Sequence, residues 1–329
     1  MKLLFLLFSL AALSTAFRSS QPDPLYTFLC LGMVVLSVSR YYGVRHVVPA
    51  PELIVYAYPF CCNLFIKFAF KLPLQNVDRR LLLFDYNFGF CETIAVRLYN
   101  SSFFSQTLLG TAYCSLMLVV VCTYLAVRNS HARKLFLIAS ASTAILIWPL
   151  YLLCPAGGPK YLADSIQGIN AMPSGHFAWA LLIWWFTRKH CGVFTQALAG
   201  VFVMLTFLAT LGAGEHYVVD LIVAVPFAAC VWMLVHQQWK SAAVSMLTAL
   251  VWIVMLREAW ALSVPPILVW ILTGVTVSFF SLHAGAHRIK LNSRCADQLR
   301  RLWIKTQIAA ISAIVWTGDR LWITLRRTD

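Results

Sequence analysis

Two short polar segments of an otherwise apolar chain contain residues that could transfer a phosphoryl group. The first reads M-P-S-G-H over residues 172–176, and the second reads G-E-H-Y-V-V-D over residues 214–220. Each segment holds one histidine, His176 or His216, and Asp220 follows the second histidine by four residues. One imidazole can attack phosphorus while another protonates the leaving oxygen. The pair of segments therefore predicts phosphoryl-transfer chemistry.

The spacing between His216 and Asp220 assigns different roles to the two histidines. Residues four apart lie on one face of a helix, about one turn from each other. A carboxylate placed there holds one imidazole nitrogen, fixes the tautomer and makes the other nitrogen a better nucleophile or base. We therefore predict His216 as the nucleophile and His176 as the general acid and base.

Both segments are predicted to begin helices, and helix starts attract anions. The first turn of a helix carries unpaired N–H groups and the positive end of the helix dipole. Ser174 is a good N-cap residue, and Gly175 lets a ligand approach the backbone closely. Because a histidine and helix termini can supply the nucleophile and the electrostatic stabilisation, the predicted reaction requires no metal or cofactor.

The composition indicates what kind of fold must position these residues. The chain has 329 residues, of which 60% are hydrophobic and only 12% are charged. Soluble proteins have about 45–50% apolar and 25% charged residues, and disordered chains are less hydrophobic still. A membrane-spanning helix needs about 20 apolar residues, and several such stretches occur. The sequence therefore predicts an all-α, polytopic membrane bundle.

The predicted spans follow the apolar runs of the sequence. These runs lie at 25–44, 52–70, 107–127, 134–153, 175–187, 195–213, 216–236, 241–256 and 264–283. Residues 1–17 fit either a signal peptide or a short first helix, and residues 73–106 are polar enough to lie outside the bilayer. The predicted division is a first segment at 1–24, N-terminal spans and an interfacial segment at 25–106, a catalytic core at 107–236, further spans at 237–284 and a basic tail at 285–329.

The distribution of cations predicts the orientation in the membrane. From residue 128 onward, fifteen Lys and Arg residues lie on one side, whereas only Lys160 and Arg257 lie on the other side. Cytoplasmic loops carry the excess of cations, so both histidine segments should face away from the cytoplasm. The formal charge of +14 does not indicate nucleic-acid binding, because nine of the 26 cations lie in an aromatic tail suited to anionic lipid headgroups.

At these residues the sequence resembles the type 2 phosphatidic acid phosphatase superfamily, over about residues 107–236. Those membrane enzymes share a six-helix core with vanadium haloperoxidases and cleave phosphate esters through a phosphohistidine. The resemblance implies that His176 is the acid/base histidine, that Ser174 and Gly175 touch the phosphate, and that His216 is the nucleophile oriented by Asp220.

Two departures from the phosphatase pattern favour one branch of that superfamily. The chain contains no Arg-Pro element before P-S-G-H, and Thr210 stands six residues before His216, where the lipid phosphatases have arginine. The chain instead has C-P-A-G-G-P-K-Y at 154–161. This pattern is similar to the inositolphosphotransferase and sphingolipid synthase branch, with Lys160 and Tyr161 in place of the missing phosphate-binding element.

The resemblance implies a lipid-directed enzyme, and the sequence leaves its acceptor open. A phosphotransferase would move a phosphate-linked head group from a phospholipid donor to a lipid alcohol such as ceramide or diacylglycerol. A phosphatase acting on a lipid phosphate or a polyprenyl phosphate would use water instead. A non-catalytic lipid-binding protein on the same fold is the third alternative. In each case the predicted site lies on the periplasmic or lumenal face.

Overall fold

The computed structural model describes residues 76–162 and 171–285, and within these ranges the chain is built from helices and loops without a β-strand. The all-α prediction is confirmed. The helices are, in chain order, α1 (Asp78–Asp85), α2 (Gly89–Tyr99), α3 (Phe103–Cys114), α4 (Leu116–Ala126), α5 (Ser130–Leu153), α6 (Gly175–His190), α7 (Val193–Gly212), α8 (Val218–Val235), α9 (Trp239–Arg257) and α10 (Pro266–Gly285).

Several of these helices can cross a membrane, as the hydropathy pattern predicts. Helices α5, α7, α8 and α9 are each long and apolar enough to span the bilayer, and α3 with α4 adds a fifth span if the bent pair counts as one. The chain is therefore an integral membrane protein. The predicted first segment, the runs at 25–44 and 52–70, and the basic tail beyond residue 285 lie outside the described residues.

The predicted run at 107–127 differs from the structure, because it is not one straight helix. Helices α3 and α4 meet at Ser115 with a bend of 60°. The Ser115 hydroxyl donates to the Ala112 carbonyl at 3.0 Å. Side-chain bonds of this kind compete with the helical ladder and bend helices. Hydropathy does not detect the bend, since the apolar character continues through it.

Helix α8 occupies the centre of the bundle. Its side chains are buried on every face, including Val219, Phe227 and Trp232. It packs against α5, α6, α9 and α10. A helix that is apolar all round is typical of such a central position. By contrast, α7 keeps exposed apolar side chains such as Met204, which suit contact with lipid.

The helices run in alternating directions, so the two histidine segments lie at the same end of the bundle, here called the site end. Arg257, at the last residue of α9, donates to the carbonyl of Leu153 at 3.1 Å, which joins the ends of α9 and α5 there. At the opposite end, Lys189 Nζ lies 3.0 Å from His236 Nε2, which joins the ends of α6 and α8.

The carboxylates of the described residues lie at one end of the bundle, whereas the cations lie at both ends. The carboxylates in the described part of the chain belong to the site end: Asp78, Asp85, Glu92, Glu215, Asp220 and Glu258. Six cations lie in the segments of the opposite end: Arg128, Arg133, Lys134, Arg188, Lys189 and Lys240. Five cations belong to the segments of the site end: Arg79, Arg80, Arg97, Lys160 and Arg257. From residue 128 onward the described cations keep the predicted asymmetry, with six at the opposite end and two at the site end.

Candidate active site

The loop between α7 and α8 holds His216 in a fixed orientation. Its side chain is 5% exposed, and its Nδ1 lies 2.9 Å from the carbonyl oxygen of Ala171 and 3.4 Å from Asp220 Oδ2. Both neighbours are acceptors, so Nδ1 carries the proton and Nε2 keeps its lone pair. The sequence anticipates the contact with Asp220, whereas the Ala171 carbonyl is a partner that it does not reveal.

Asp220 connects the two histidine segments. Its side chain is fully buried, and Oδ2 accepts the backbone N–H of Tyr217 at 2.8 Å. Its own carbonyl accepts the backbone N–H of Ser174 at 3.1 Å. One residue therefore faces the imidazole of His216 and fixes the start of the segment that carries His176.

His176 lies in the first turn of α6 and faces an aromatic ring. Its imidazole stacks on Tyr113 of α3, with ring centroids 4.0 Å apart and planes inclined by 14°. Two hydrogen bonds join the segments that carry His176 and His216: the Ser174 N–H donates to the Asp220 carbonyl at 3.1 Å, and His216 Nδ1 donates to the Ala171 carbonyl at 2.9 Å. The structure thus brings together the two histidines that lie 40 residues apart in the sequence.

The start of α6 has the features of an anion site. Ser174 is its N-cap, and the Ser174 Oγ accepts the N–H of Phe177 at 3.4 Å. The N–H groups of Gly175 and His176 donate to no other residue in the described ranges. A Cβ on Gly175 would lie 3.1 Å from both Ile147 and the Tyr151 hydroxyl, so the backbone approaches α5 closely here.

The start of α8, which the sequence also suggests as an anion site, is already occupied by carboxylates. Asp85 accepts the N–H groups of Val218 and Val219, the latter at 3.0 Å, and Asp220 accepts that of Tyr217. Side-chain carboxyl oxygens at a helix start satisfy the unpaired donors. Of the two predicted helix starts, only that of α6 has amides that none of the described residues occupies.

A second carboxylate of α1 fixes the loop that follows α5. Asp78 is 4% exposed, and it accepts the N–H of Gly157 at 3.0 Å and that of Gly158 at 3.1 Å. Gly158 has φ +99°, and a Cβ there would collide with the carbonyl of Glu215. Glycine is required at this position, because the loop packs directly against the backbone next to His216.

Lys160 lies at this loop, in the short 3₁₀ helix Pro159–Tyr161, and its ammonium pairs with Glu215. Tyr161 also donates to Glu215, at 3.4 Å, and its ring lies 4.7 Å from the Lys160 Nζ. Burial opposes the charge of Lys160, but Glu215 and Tyr161 together raise its pKa above the usual value. Lys160 is therefore a cation at the site that already has an acidic partner. Its contact with phosphate stays a prediction.

The positions where lipid phosphatases have arginine hold no equivalent cation here. The Thr210 hydroxyl is fully buried and donates to the carbonyls of Thr206 and Phe207 in its own helix. Arg257, another cation on this side, donates to the end of α5. Among the residues predicted from the sequence, the candidates for the site are the histidines, the amides at the start of α6 and Lys160. The described residues contain no cluster of three or more His, Cys, Asp or Glu side chains suited to a metal ion.

Sequence reasoning does not identify Asp78, Asp85 and Tyr113 as parts of the site. A usable signal exists for the two acids, because the full chain has only 12 carboxylates and these two are seven residues apart. Residues seven apart lie on nearly the same face of a helix. No comparable signal marks Tyr113, which reaches the site through the bend after α3.

The pKa of Asp85 predicts that the free energy of unfolding depends on pH. Burial raises its pKa to about 8, although the amides of Val218 and Val219 act in the opposite direction. Between about pH 4 and pH 8 the folded state therefore binds more protons than the unfolded state, and stability falls as pH rises. Relative to Asp85→Asn, we expect the wild-type free energy of unfolding to decrease towards pH 8 by up to about 1.4 kcal/mol per unit and to level off above it.

Unfolding of both proteins in detergent, followed from pH 5 to pH 9, measures this difference. The Asp85→Asn variant is the matched control, since it keeps the size of the side chain and cannot ionise. A wild-type minus variant difference that is constant with pH, or that increases with pH, would contradict the raised pKa of Asp85.

A comparison with known families found a match over the central part of the chain. Residues 79–234 match the family model described as the PAP2 superfamily, a range just under half the chain that contains both histidines and Asp220. The match supports the predicted resemblance at the level of the superfamily and begins earlier, within α1. No curated protein matches the chain, and no solved structure matches it.

Proposed function

We propose that this membrane protein, whose residues 79–234 match the PAP2 superfamily, cleaves a phosphoester of a lipid through a phosphohistidine on His216. The match supports a phosphatase or phosphotransferase type of activity. The observation that carries the proposal is the geometry of His216. Its Nδ1 faces two acceptors, so Nε2 is free to attack phosphorus beside a second imidazole and the open start of α6.

The first half-reaction breaks the phosphoester bond. Nε2 of His216 forms a bond to phosphorus, and the bond from phosphorus to the leaving alcohol oxygen breaks. His176, entering as imidazolium, donates its proton to that oxygen. The charge that develops on the His216 ring is stabilised by the Ala171 carbonyl and the Asp220 carboxylate, both at Nδ1.

The second half-reaction reverses the role of His176. The neutral imidazole removes a proton from the acceptor hydroxyl, whose oxygen then bonds to phosphorus as the bond to His216 Nε2 breaks. A lipid alcohol as acceptor makes the enzyme a phosphotransferase, and water makes it a phosphatase. The replacement of the phosphatase arginines by the G-P-K-Y loop favours transfer from a phospholipid to ceramide or diacylglycerol, as in the branch that the sequence resembles.

The proposed phosphate contacts are the free amides of Gly175 and His176, the Ser174 hydroxyl, and Lys160 with Tyr161. The amides lie at the positive end of the α6 dipole, which favours an anion. Lys160 pairs with Glu215, so a phosphate would share this cation with the carboxylate. The bidentate pairing that arginine offers is absent from this set, and several weaker donors take its place.

The proposed face of the membrane is the non-cytoplasmic one, periplasmic or lumenal. The support is the distribution of the described cations from residue 128 onward, of which six lie at the end opposite the site and two, Lys160 and Arg257, at the site end. Asn100 starts an N-S-S sequon in the loop between α2 and α3. Glycosylation of Asn100 in a secretory-pathway host would place this loop on the lumenal side.

A labelled-substrate assay tests the function directly. Purified protein is incubated with phospholipids labelled in the phosphate-linked head group, with or without ceramide or diacylglycerol. Label that moves to a new lipid supports transfer, and label released to water in the absence of an acceptor supports hydrolysis. If folded protein removes label from none of the donors, the proposed function is wrong and the non-catalytic lipid-binding alternative is left.

Replacing Asp220 by asparagine is expected to lower kcat by about 10- to 100-fold, with little change in KM. Asparagine can still accept the N–H of Tyr217, and the Ala171 carbonyl still holds Nδ1 of His216, so the tautomer persists. The variant loses only the charge that stabilises the developing imidazolium. A wild-type kcat would exclude stabilisation of the imidazolium by the Asp220 charge, and a loss beyond about 10⁴-fold would mean that the Ala171 carbonyl does not fix the tautomer.

A further inference from the structure

Tyr113 places an aromatic face against the imidazole of His176. The centroids are 4.0 Å apart and the planes are inclined by only 14°, so the two rings overlap face to face. Tyr113 lies next to the last residue of α3, just before the bend at Ser115. The bend matters because it ends α3 beside the first turn of α6. Tyr113 also lies within electrostatic reach of Glu215 and Tyr161, so it belongs to the site.

The proposed reaction requires His176 to change its charge in each half-reaction. An aromatic face attracts a cation through the ring quadrupole, and this attraction is absent when the imidazole is neutral. The stack also restricts rotation of the imidazole plane. Tyr113 can therefore favour the protonated form and hold the ring in one orientation.

The other groups around His176 do not supply this stabilisation. Burial disfavours a charge on the His176 imidazole, and a charge on His216 would oppose it as well. Tyr151 of α5 places its hydroxyl near the backbone of Gly175. No carboxylate in the described residues forms an ion pair with His176, since the histidine paired in this way is His216.

We infer that Tyr113 is a positioning residue that fixes the ring plane of His176 and stabilises its imidazolium form. The inference rests on the acid/base role proposed for His176. Tyr113 itself needs to touch no substrate atom for this role. Its ring, rather than its hydroxyl, is the active part, so phenylalanine should replace it and a branched aliphatic residue should not.

The test measures the titration of His176 in the full-length protein by NMR, with ¹³C-labelled histidine and assignment from a His176→Gln sample. In Tyr113→Leu we expect the titration midpoint of His176 to move to lower pH by about half a unit to one unit. In Tyr113→Phe we expect the midpoint to stay within about 0.2 units of the wild type, since the stack is retained. An unchanged midpoint in the leucine variant would overturn the inference, and so would an equal shift in both variants.

The kinetic counterpart is the pH profile of kcat/KM with a lipid substrate. The alkaline limb should report loss of the proton from His176, and it should move with the NMR midpoint in Tyr113→Leu but not in Tyr113→Phe. A leucine variant with a lower activity but an unmoved limb would mean that Tyr113 has only a packing role, which contradicts the inference.

The experiments distinguish a failure of the proposed function from a failure of the inference about Tyr113. If His176→Ala keeps full turnover, the proposed function is wrong, whereas the NMR shift in the leucine variant still supports the coupling between Tyr113 and His176. If His176→Ala is inactive and the leucine variant leaves the titration unchanged, the function stands and the inference about Tyr113 is wrong.

Discussion

Turnover should fall by more than about 10⁴-fold in a His216→Ala variant, whatever the leaving group of the substrate. In the proposed mechanism Nε2 of His216 bonds to phosphorus, whereas general acid–base assistance alone accounts for only about 10²- to 10⁴-fold. The variant should also lose the covalent intermediate. Wild-type protein mixed with a labelled donor should retain label that survives base, as a phosphohistidine does, and His216→Ala should retain none.

The control for this loss is His131→Ala, which removes an exposed histidine from the first turn of α5 at the opposite end of the bundle. It should keep wild-type turnover and labelling. Equal thermal unfolding of the three proteins in detergent shows that the loss is chemical. Base-stable label on His216→Ala would exclude His216 as the nucleophile.

A His176→Ala variant should show a loss that depends on the leaving group. For a lipid alcohol, whose oxygen must be protonated as it departs, we expect a decrease of about 10²- to 10⁴-fold in the first half-reaction. For a p-nitrophenyl phosphate ester, which leaves without a proton, the first step should be nearly as fast as in the wild type. Because no base then activates the acceptor, labelled His216 should accumulate.

Rapid-quench measurement with both substrates separates this outcome from a general loss of structure. The release of p-nitrophenol should give a burst of one equivalent per active site, followed by a slow steady state. Equal losses for both leaving groups, with no burst, would mean that His176 is not the general acid.

The local parts of the site are predictable from the sequence, and its long-range parts are not. The i,i+4 relation of His216 and Asp220 and the N-cap role of Ser174 follow from helix geometry alone. The approach of His176 to His216 follows from the alternating direction of the spans. The Ala171 carbonyl on Nδ1 and the Tyr113 ring on His176 depend on tertiary packing, which no periodicity encodes.

The two helix starts also have a local part that the sequence predicts and a long-range part that it does not. Both helix starts have unpaired amides in principle, and the sequence cannot show which of them the rest of the chain fills. Asp85 lies 133 residues before Val218, and only the fold brings this carboxylate to the start of α8. Lys160 is predictable as a cation of the site, but its pairing with Glu215 depends on how the loop at 155–161 packs beneath the turn at Gly214.

The two carboxylates of α1 also impose an order on biosynthesis. Asp78 leaves the ribosome about 80 residues before the loop amides that it binds, and Asp85 leaves it 133 residues before the amide of Val218. Until α8 has been translated, the Asp85 carboxylate has no donors and must remain hydrated or protonated, since an unpaired charge is costly to bury. The proposed active site is therefore completed late in translation, and in a nascent chain that stalls before residue 218 the Asp85 carboxyl group lacks the amides of Val218 and Val219.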